Sequence, residues 1–387
     1  MKKVLLFILK FLVSIFILAF GLTLTIFIFH KVKSLGEYNT LKKEGFINLY
    51  PIDDYHLNIY RIGKKNSSHK IIGISGLGVN DYNVRMSFVN KVLEEDYELI
   101  YIDRAGYGYS DDNNKKQTVK RIVNDYREAL KKANIEEPYI LMPHSIGGVY
   151  ATYWESMYPN EIESVIFIDS TVIEPIKETS NNKKDYTEYL ELLSNRLGLQ
   201  RLALRTNYPQ LPSRFSKKEQ KYSDYLNIKG SMNKAIYSET KLHNTNINET
   251  FKNIKKNDIP KLYISSTRGA EDIIDLENDL LWITKRKKEM GLKTITKTPS
   301  KAKLEKTIKE NKKWEINHLK PYTDLLGNTT IEHLSGDHFI FEQKPNELTD
   351  IIKDYIDDLD KQNVVINNAD DDEEPTVKHD CLTSIIC

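Results

Sequence analysis

The chain has 387 residues, too many for a mini-domain and enough for one large α/β domain with insertions or two ordinary domains. Lys and Arg number 56 against 55 Asp and Glu, a net charge of +1, which argues against a dedicated nucleic-acid binder. A hydrophobic content of 40% suffices for a core, and the two cysteines, Cys381 and Cys387, exclude a Cys-based zinc site or a disulfide framework as the basis of the fold.

In chain order, the first element is an uncharged run, Phe11 to Phe29. As a helix it would be about 28 Å long, close to one hydrocarbon core. Lys2, Lys3 and Lys10 precede it, Lys31 and Lys33 follow, and no small-residue cleavage site comes after it. Residues 1–33 therefore read as an uncleaved single-pass membrane anchor, with the globular part on the extracytoplasmic side. Residues 34–44 read as a polar tether. Phe46–Tyr50 and Leu57–Ile62 alternate around Asp53 and Asp54 and predict a hairpin.

Lys70–Ile74, Glu98–Ile102, Tyr139–Met142, Ser164–Ile168 and Lys261–Ser265 are short, nearly continuous apolar runs, as strands buried on both faces of a parallel sheet would be. Helical patterns alternate with them, over about Val119–Ala133 and from Ile146 to about Met157. The result is a doubly wound, mostly parallel α/β sheet, closed by a strand at Thr329–Leu334 and a helix at Glu347–Leu359. The core then covers 45–170 and 260–359. Residues 171–259 are too long for a loop and read as an inserted helical lid, whose tyrosines (Tyr186, Tyr189, Tyr222, Tyr225, Tyr237) could line a pocket or pack the lid. A second insertion near 281–320 carries 13 Lys/Arg against 4 Asp/Glu. It reads as a solvated basic helix pair, with contact to an anionic membrane as the alternative. Residues 360–387, with the acidic block Asp370–Glu374, read as a disordered tail.

The chemistry gathers at strand ends. Pro143-His144-Ser145-Ile146-Gly147-Gly148 leaves a buried strand and opens a helix. A serine becomes a useful nucleophile when a sharp strand-to-helix turn presents it to a base, and such a turn needs small neighbours. Gly147 supplies one; Pro143 stands where a glycine is usual. Ser75-Gly76-Leu77-Gly78, Asp103-Arg104-Ala105-Gly106-Tyr107-Gly108-Tyr109-Ser110 and Gly336-Asp337-His338 each follow another strand's C-terminal end, where ligands gather in open α/β sheets. No H-x-x-H or H-E-x-x-H spacing suggests a metal site, and no cofactor is implied.

Taken in chain order (Ser75–Gly78, Asp103–Ser110, Pro143–Gly148, Gly336–His338), these four segments resemble the α/β-hydrolase family over roughly residues 45–358. The resemblance implies Ser145 as nucleophile, His338 as base and the backbone N–H groups of Leu77 and Ile146 as oxyanion donors. His144 and His333 are rivals for the base, but only His338 lies on the loop past the last strand after a glycine. The acid is expected on the loop after Lys261–Ser265 and is taken as Asp272, with Glu271 and Asp169 as alternatives. The Asp103–Ser110 stretch is read as structural. Family members that act as dehalogenases or epoxide hydrolases carry a carboxylate at the elbow, so a serine there implies acyl transfer instead. The expected activity is a membrane-anchored serine esterase, lipase-like, acting on a small-molecule or lipid-like acyl substrate. A peptidase of the same fold, or a non-catalytic binding protein on this scaffold, are the alternatives.

Overall fold

The computed structural model describes residues 2–177, 186–201, 210–290, 292, 294 and 299–371. The strands are β1 (Leu49–Ile52), β2 (Tyr55–Gly63), β3 (Lys70–Ile74), β4 (Glu98–Ile102), β5 (Tyr139–Pro143), β6 (Ile162–Ile168), β7 (Lys261–Ser265) and β8 (Thr329–His333). They form one sheet in the order β1-β2-β4-β3-β5-β6-β7-β8. β1 and β2 are antiparallel to their neighbours, and all pairings from β4 to β8 are parallel.

The helices are α1 (Lys2–Lys43), α2 (Tyr82–Arg85), α3 (Ser87–Leu93), α4 (Val119–Lys132), α5 (Gly147–Met157), α6 (Tyr186–Leu197), α7 (Lys217–Lys229), α8 (Lys234–Lys241), α9 (His243–Asn253), α10 (Ile273–Glu289), α11 (Lys301–Trp314), α12 (Lys320–Leu326), α13 (Ile340–Gln343) and α14 (Pro345–Asp371).

The apolar runs build strands because both faces of the sheet are covered. On β3, Ile71 enters one core with Val89 and Leu93 of α3 and Ile352 of α14, while Ile72 and Ile74 enter the other with Val123 and Tyr126 of α4 and Trp154 of α5. β5 alternates in the same way, with Ile140 and Met142 on the first side and Tyr139 and Leu141 on the second. From β3 the chain steps outward to β4, then crosses back to β5 on β3's other side. The carboxyl ends of β3 and β5 therefore flank the point where strand order reverses, where open α/β sheets bind ligands.

Three expectations change. Residues 34–44 are no flexible tether: α1 continues without a break to Lys43. Its last turns are held because Glu37 and Leu41, one turn apart, are buried, Leu41 in a cluster with Leu211, Phe215, Tyr222 and Leu226 of the 171–259 insertion, the expected lid. The final helix runs past Leu359 to Asp371, so the first part of the expected tail is helical. The 281–320 insertion does form a helix pair, α10 and α11, yet it is not uniformly solvated, since Arg286 is buried. The lid stretches 178–185 and 202–209, the side chain of Tyr186, and the tail with Cys381 and Cys387 lie outside the described residues. The described part of the lid contributes α6 to α9.

Candidate active site

Ser145 stands at the turn between β5 and α5 with φ +56°, a left-handed conformation that a serine adopts only where its surroundings enforce it. The enforcement is close backbone packing. A Cβ on Gly147 would come within 2.5 Å of the Ile74 carbonyl oxygen, and one on Gly76 would come 3.1 Å from the Ser145 Cβ. Pro143 is tolerated because the ladder does not need its missing N–H: the His144 N–H donates to the Ile74 carbonyl at 2.9 Å instead.

His338 follows β8 at the same end of the sheet. Its ring centre is 4.4 Å from that of His144, whose Nε2–H donates to the His338 carbonyl at 2.8 Å. His144 is itself buried and neutral, its pKa pushed down to about 3, first by burial and then by the charge of His338. With Nε2 protonated, the buried Nδ1 of His144 faces Gly76 without a partner among the described residues. His144 thus points inward and fastens the His338 loop from behind. His333 is the other rival for the base. It sits on β8, 3.5 Å from Glu315.

The carboxylate beside His338 is Asp169, not Asp272. His338 Nδ1 lies 2.6 Å from Asp169 Oδ2. The other oxygen, Oδ1, accepts the Ser266 and Thr267 N–H groups at 3.0 Å each and the Thr267 hydroxyl at 3.2 Å. Burial would raise the Asp169 carboxyl, but the His338 ring and these donors outweigh it and hold it below the ordinary value. Asp272 is occupied elsewhere, as the N-cap of α10 accepting the Asp275 N–H at 2.9 Å. Glu271 is exposed, and its own N–H donates to Asp275. The loop after β7 thus supplies hydrogen-bond donors to the carboxylate beside His338 rather than that carboxylate itself.

The backbone around Ser145 is oriented peptide by peptide. Arg104 is buried and donates to the Ser75 carbonyl at 2.8 Å and the Gly76 carbonyl at 3.0 Å. In a trans peptide the C=O and the following N–H point in opposite directions, so Arg104 turns the Leu77 N–H away from itself. The Ser145 carbonyl is likewise held by the Thr171 N–H at 2.9 Å and the Gly148 N–H at 3.0 Å, which turns the Ile146 N–H the other way. Neither N–H donates a hydrogen bond among the described residues. Arg104 also pairs with Glu239 of the lid at 3.2 Å, and Glu239 accepts from Tyr150. Asp103 is partly buried, its carboxyl raised to about 6 by desolvation, and it accepts from Asn58 and from the Tyr109 N–H.

Two residues near His338 had no signal in the sequence. Arg286 of α10 lies 3.1 Å from Asp337 and 2.8 Å from the buried Glu342, and its guanidinium stands over the Phe339 ring at 5.0 Å. Arg85 covers the same ring at 5.2 Å and binds Glu342 at 2.6 Å. Phe339, next to His338, is therefore gripped by two cations. Ser145 and His338 share no hydrogen bond among the described residues, as is common in unliganded sites, where catalytic hydrogen bonds tighten on substrate binding. A cavity of about 220 Å³ adjoins Asp169 and His338, and one of about 580 Å³ is lined by Gly78 and Asn80 together with Leu190, Ser194, Leu199 and Met232 of the insertion. Among the described residues no tyrosine lines the 580 Å³ cavity; Tyr222 is buried and Tyr225 partly buried in the α1 cluster.

Residues 72–369 match the family model of the alpha/beta hydrolase fold, more than half of the chain. The chain belongs to the α/β-hydrolase fold family. Solved hydrolases share the fold. The epoxide hydrolase CorEH has a TM-score of 0.52 at 16% identity, covering 81% of this chain and 98% of its own. The haloalkane dehalogenase DatA from Agrobacterium tumefaciens C58 has 0.50 at 15%, covering 81% and 96%. Among curated relatives, the uncharacterized protein YbdG of Bacillus subtilis (strain 168) is 32% identical over 157 residues, 41% of this chain and 47% of YbdG. YqjL of the same strain is 27% identical over 77 residues, 20% and 30% of the two chains. The chain spans less than half the length of each of these two relatives.

Proposed function

We propose that this α/β hydrolase is a membrane-anchored serine hydrolase that cleaves carboxylic esters through an acyl-enzyme, with Ser145 as nucleophile, His338 as base and Asp169 as the acid. The observation that carries the reading is the 2.6 Å contact between His338 Nδ1 and the largely buried Asp169 carboxylate, at the same sheet end as a serine held at φ +56°.

The chemistry follows from these positions. Asp169 accepts the Nδ1–H, which leaves the Nε2 lone pair free to take the Ser145 proton as Oγ attacks the substrate carbonyl. The N–H groups of Leu77 and Ile146 receive the oxyanion; in enzymes of this type, loss of one such donor costs about 10²–10³ in turnover. The imidazolium then gives its proton to the leaving group, and water repeats the sequence to release the acid and restore Ser145. The dehalogenase and epoxide hydrolase neighbours share the fold at low identity, and a carboxylate-nucleophile mechanism lacks its nucleophile here, because the elbow offers a hydroxyl. The anchor reading is supported by α1, whose apolar segment has a mean hydropathy of 2.7 and no part of it buried.

The test is turnover of a panel of p-nitrophenyl esters and aminoacyl nitroanilides by the wild type and Ser145→Ala. Ester hydrolysis that vanishes in the variant supports the reading. Cleavage of the nitroanilides alone makes the protein a peptidase, and no turnover by well-folded wild type makes it a binding module.

A further inference from the structure

The end of the apolar segment and the lid touch, and the contact is built. His30, Ser34 and Glu37 are spaced one turn apart on one face of α1, just past Phe29. All three are held by Arg201, four residues beyond the end of α6. Its Nε–H donates to His30 Nδ1 at 2.9 Å, Nη2 donates to the Ser34 hydroxyl at 2.9 Å, and the two terminal nitrogens clasp both Glu37 carboxylate oxygens at 2.7 Å. Arg201 and Glu37 are nearly buried, so this bidentate pair is shielded from screening salt. Gly198, in the turn that ends α6, packs so closely on α1 that a Cβ there would lie 2.3 Å from His30 Cβ. With α1 continuous into the buried Leu41, the lid is fixed at the level where the apolar helix surface stops.

That placement gives meaning to an otherwise unexplained surface. α6 exposes Tyr189 (72%), Leu190 (64%) and Leu193 (43%), which are successive or one turn apart and so form one apolar stripe. A tyrosine beside leucines is the composition favoured at the headgroup level of a bilayer, where an apolar body needs burial and a hydroxyl needs water. Leu190 also lines the 580 Å³ cavity, together with Gly78 and Asn80, which lie one and three residues after Leu77.

We propose that the α6 stripe seats in the headgroup layer of the bilayer that α1 spans, and that the cavity behind it takes acyl esters resident in that bilayer. This deepens the hydrolase and anchor readings above and rests on both. Docking α6 at the surface requires no diffusion of the substrate through water, since an acyl chain can pass from the leaflet along Leu190 into the cavity.

The experiment uses the full chain in phosphatidylcholine–phosphatidylglycerol vesicles, in a Cys381→Ser, Cys387→Ser background. A nitrobenzoxadiazole dye is attached at Tyr189→Cys or, as a control, at Lys65→Cys, which lies before β3 at the opposite end of the sheet. Lipid-borne headgroup quenchers should quench the dye at 189 at least fivefold more than the dye at 65. Equal quenching at the two positions overturns the proposal. In parallel, Tyr189→Glu with Leu193→Glu should slow turnover of a long-chain ester dissolved in the vesicle at least tenfold, while p-nitrophenyl acetate turnover stays within twofold. A double variant that affects both esters equally, or neither, overturns the route from the bilayer. A wild type that cleaves neither ester, or that alkaline carbonate strips from the vesicles, sinks the hydrolase or the anchor reading respectively and is recognised as such by those controls.

Discussion

Replacing Asp169 by Asn separates the proposed triad from its alternatives. Oδ1 of Asp169 accepts two backbone N–H groups and a hydroxyl, so the Asn must place its carbonyl oxygen there and turn its NH2 toward His338. Two N–H groups cannot face each other across 2.6 Å, so the imidazole adopts the other tautomer, with Nδ1 bare and Nε2 protonated. In that state it cannot accept the Ser145 proton, nor is its cation stabilised by a carboxylate. In a comparable triad the equivalent change costs about 10⁴ in kcat, or roughly 5 kcal/mol of transition-state stabilisation. Asp169→Asn should therefore lower ester kcat by about 10³–10⁴ while the fold is kept, because the three Oδ1 bonds survive. Asp272→Asn should keep turnover within about twofold, since Asn caps a helix as well as Asp does. The assay is ester hydrolysis by both variants, with circular dichroism as the folding control. Full activity in Asp169→Asn, or loss confined to Asp272→Asn, would refute the assignment.

Further outcomes follow from the same geometry. Gly147→Ala should destabilise the protein by about 1–3 kcal/mol or more and abolish activity, because its Cβ must displace the Ile74 carbonyl; thermal unfolding and turnover measure both. Arg286→Met should cost about 3–5 kcal/mol, seen as a lowered urea midpoint, because it leaves the buried Glu342 with one cation fewer and frees Asp337. His144 has its folded pKa depressed to about 3, so the unfolded chain binds a proton near pH 6.5 that the folded chain refuses. Its contribution to stability is complete above that pH and declines as the pH falls towards 3. From pH 7 to pH 5 the wild type should lose about 2 kcal/mol more than His144→Gln in urea unfolding; an identical loss in the two proteins would contradict a buried neutral imidazole.

The sheet was readable because its strands are buried on both faces and therefore appear as unbroken apolar runs, and the elbow because close packing admits little but glycine around Ser145. The hydrolase fold, stated first as a resemblance, is borne out by the family match over residues 72–369. Asp169 was harder to choose. Two loops converge on His338, and sequence spacing cannot tell which one offers a side chain and which offers backbone N–H groups. On the β7 loop, Arg268 lies over the Trp314 ring at 4.4 Å and Gly269 is pressed against the Ser265 carbonyl, so the residues just past the strand are taken up by packing, while Asp272, the expected acid, caps α10. Residues 34–43 looked like a linker because they are polar and contain Gly36. They are helical because the lid buries Leu41 and pairs Glu37, contacts far apart in sequence. Arg286 was hidden for the same reason, one basic residue in a basic stretch until the fold laid it against Phe339.

The central claim is that Ser145 is an activated nucleophile, and covalent capture tests it most directly. The full-length protein and Ser145→Ala would be treated with a fluorophosphonate, digested, and read by mass spectrometry. One adduct is expected in the wild type, on the peptide carrying Ser145, and none in the variant. A well-folded wild type that stays unmodified, or an adduct that persists in Ser145→Ala, would contradict it.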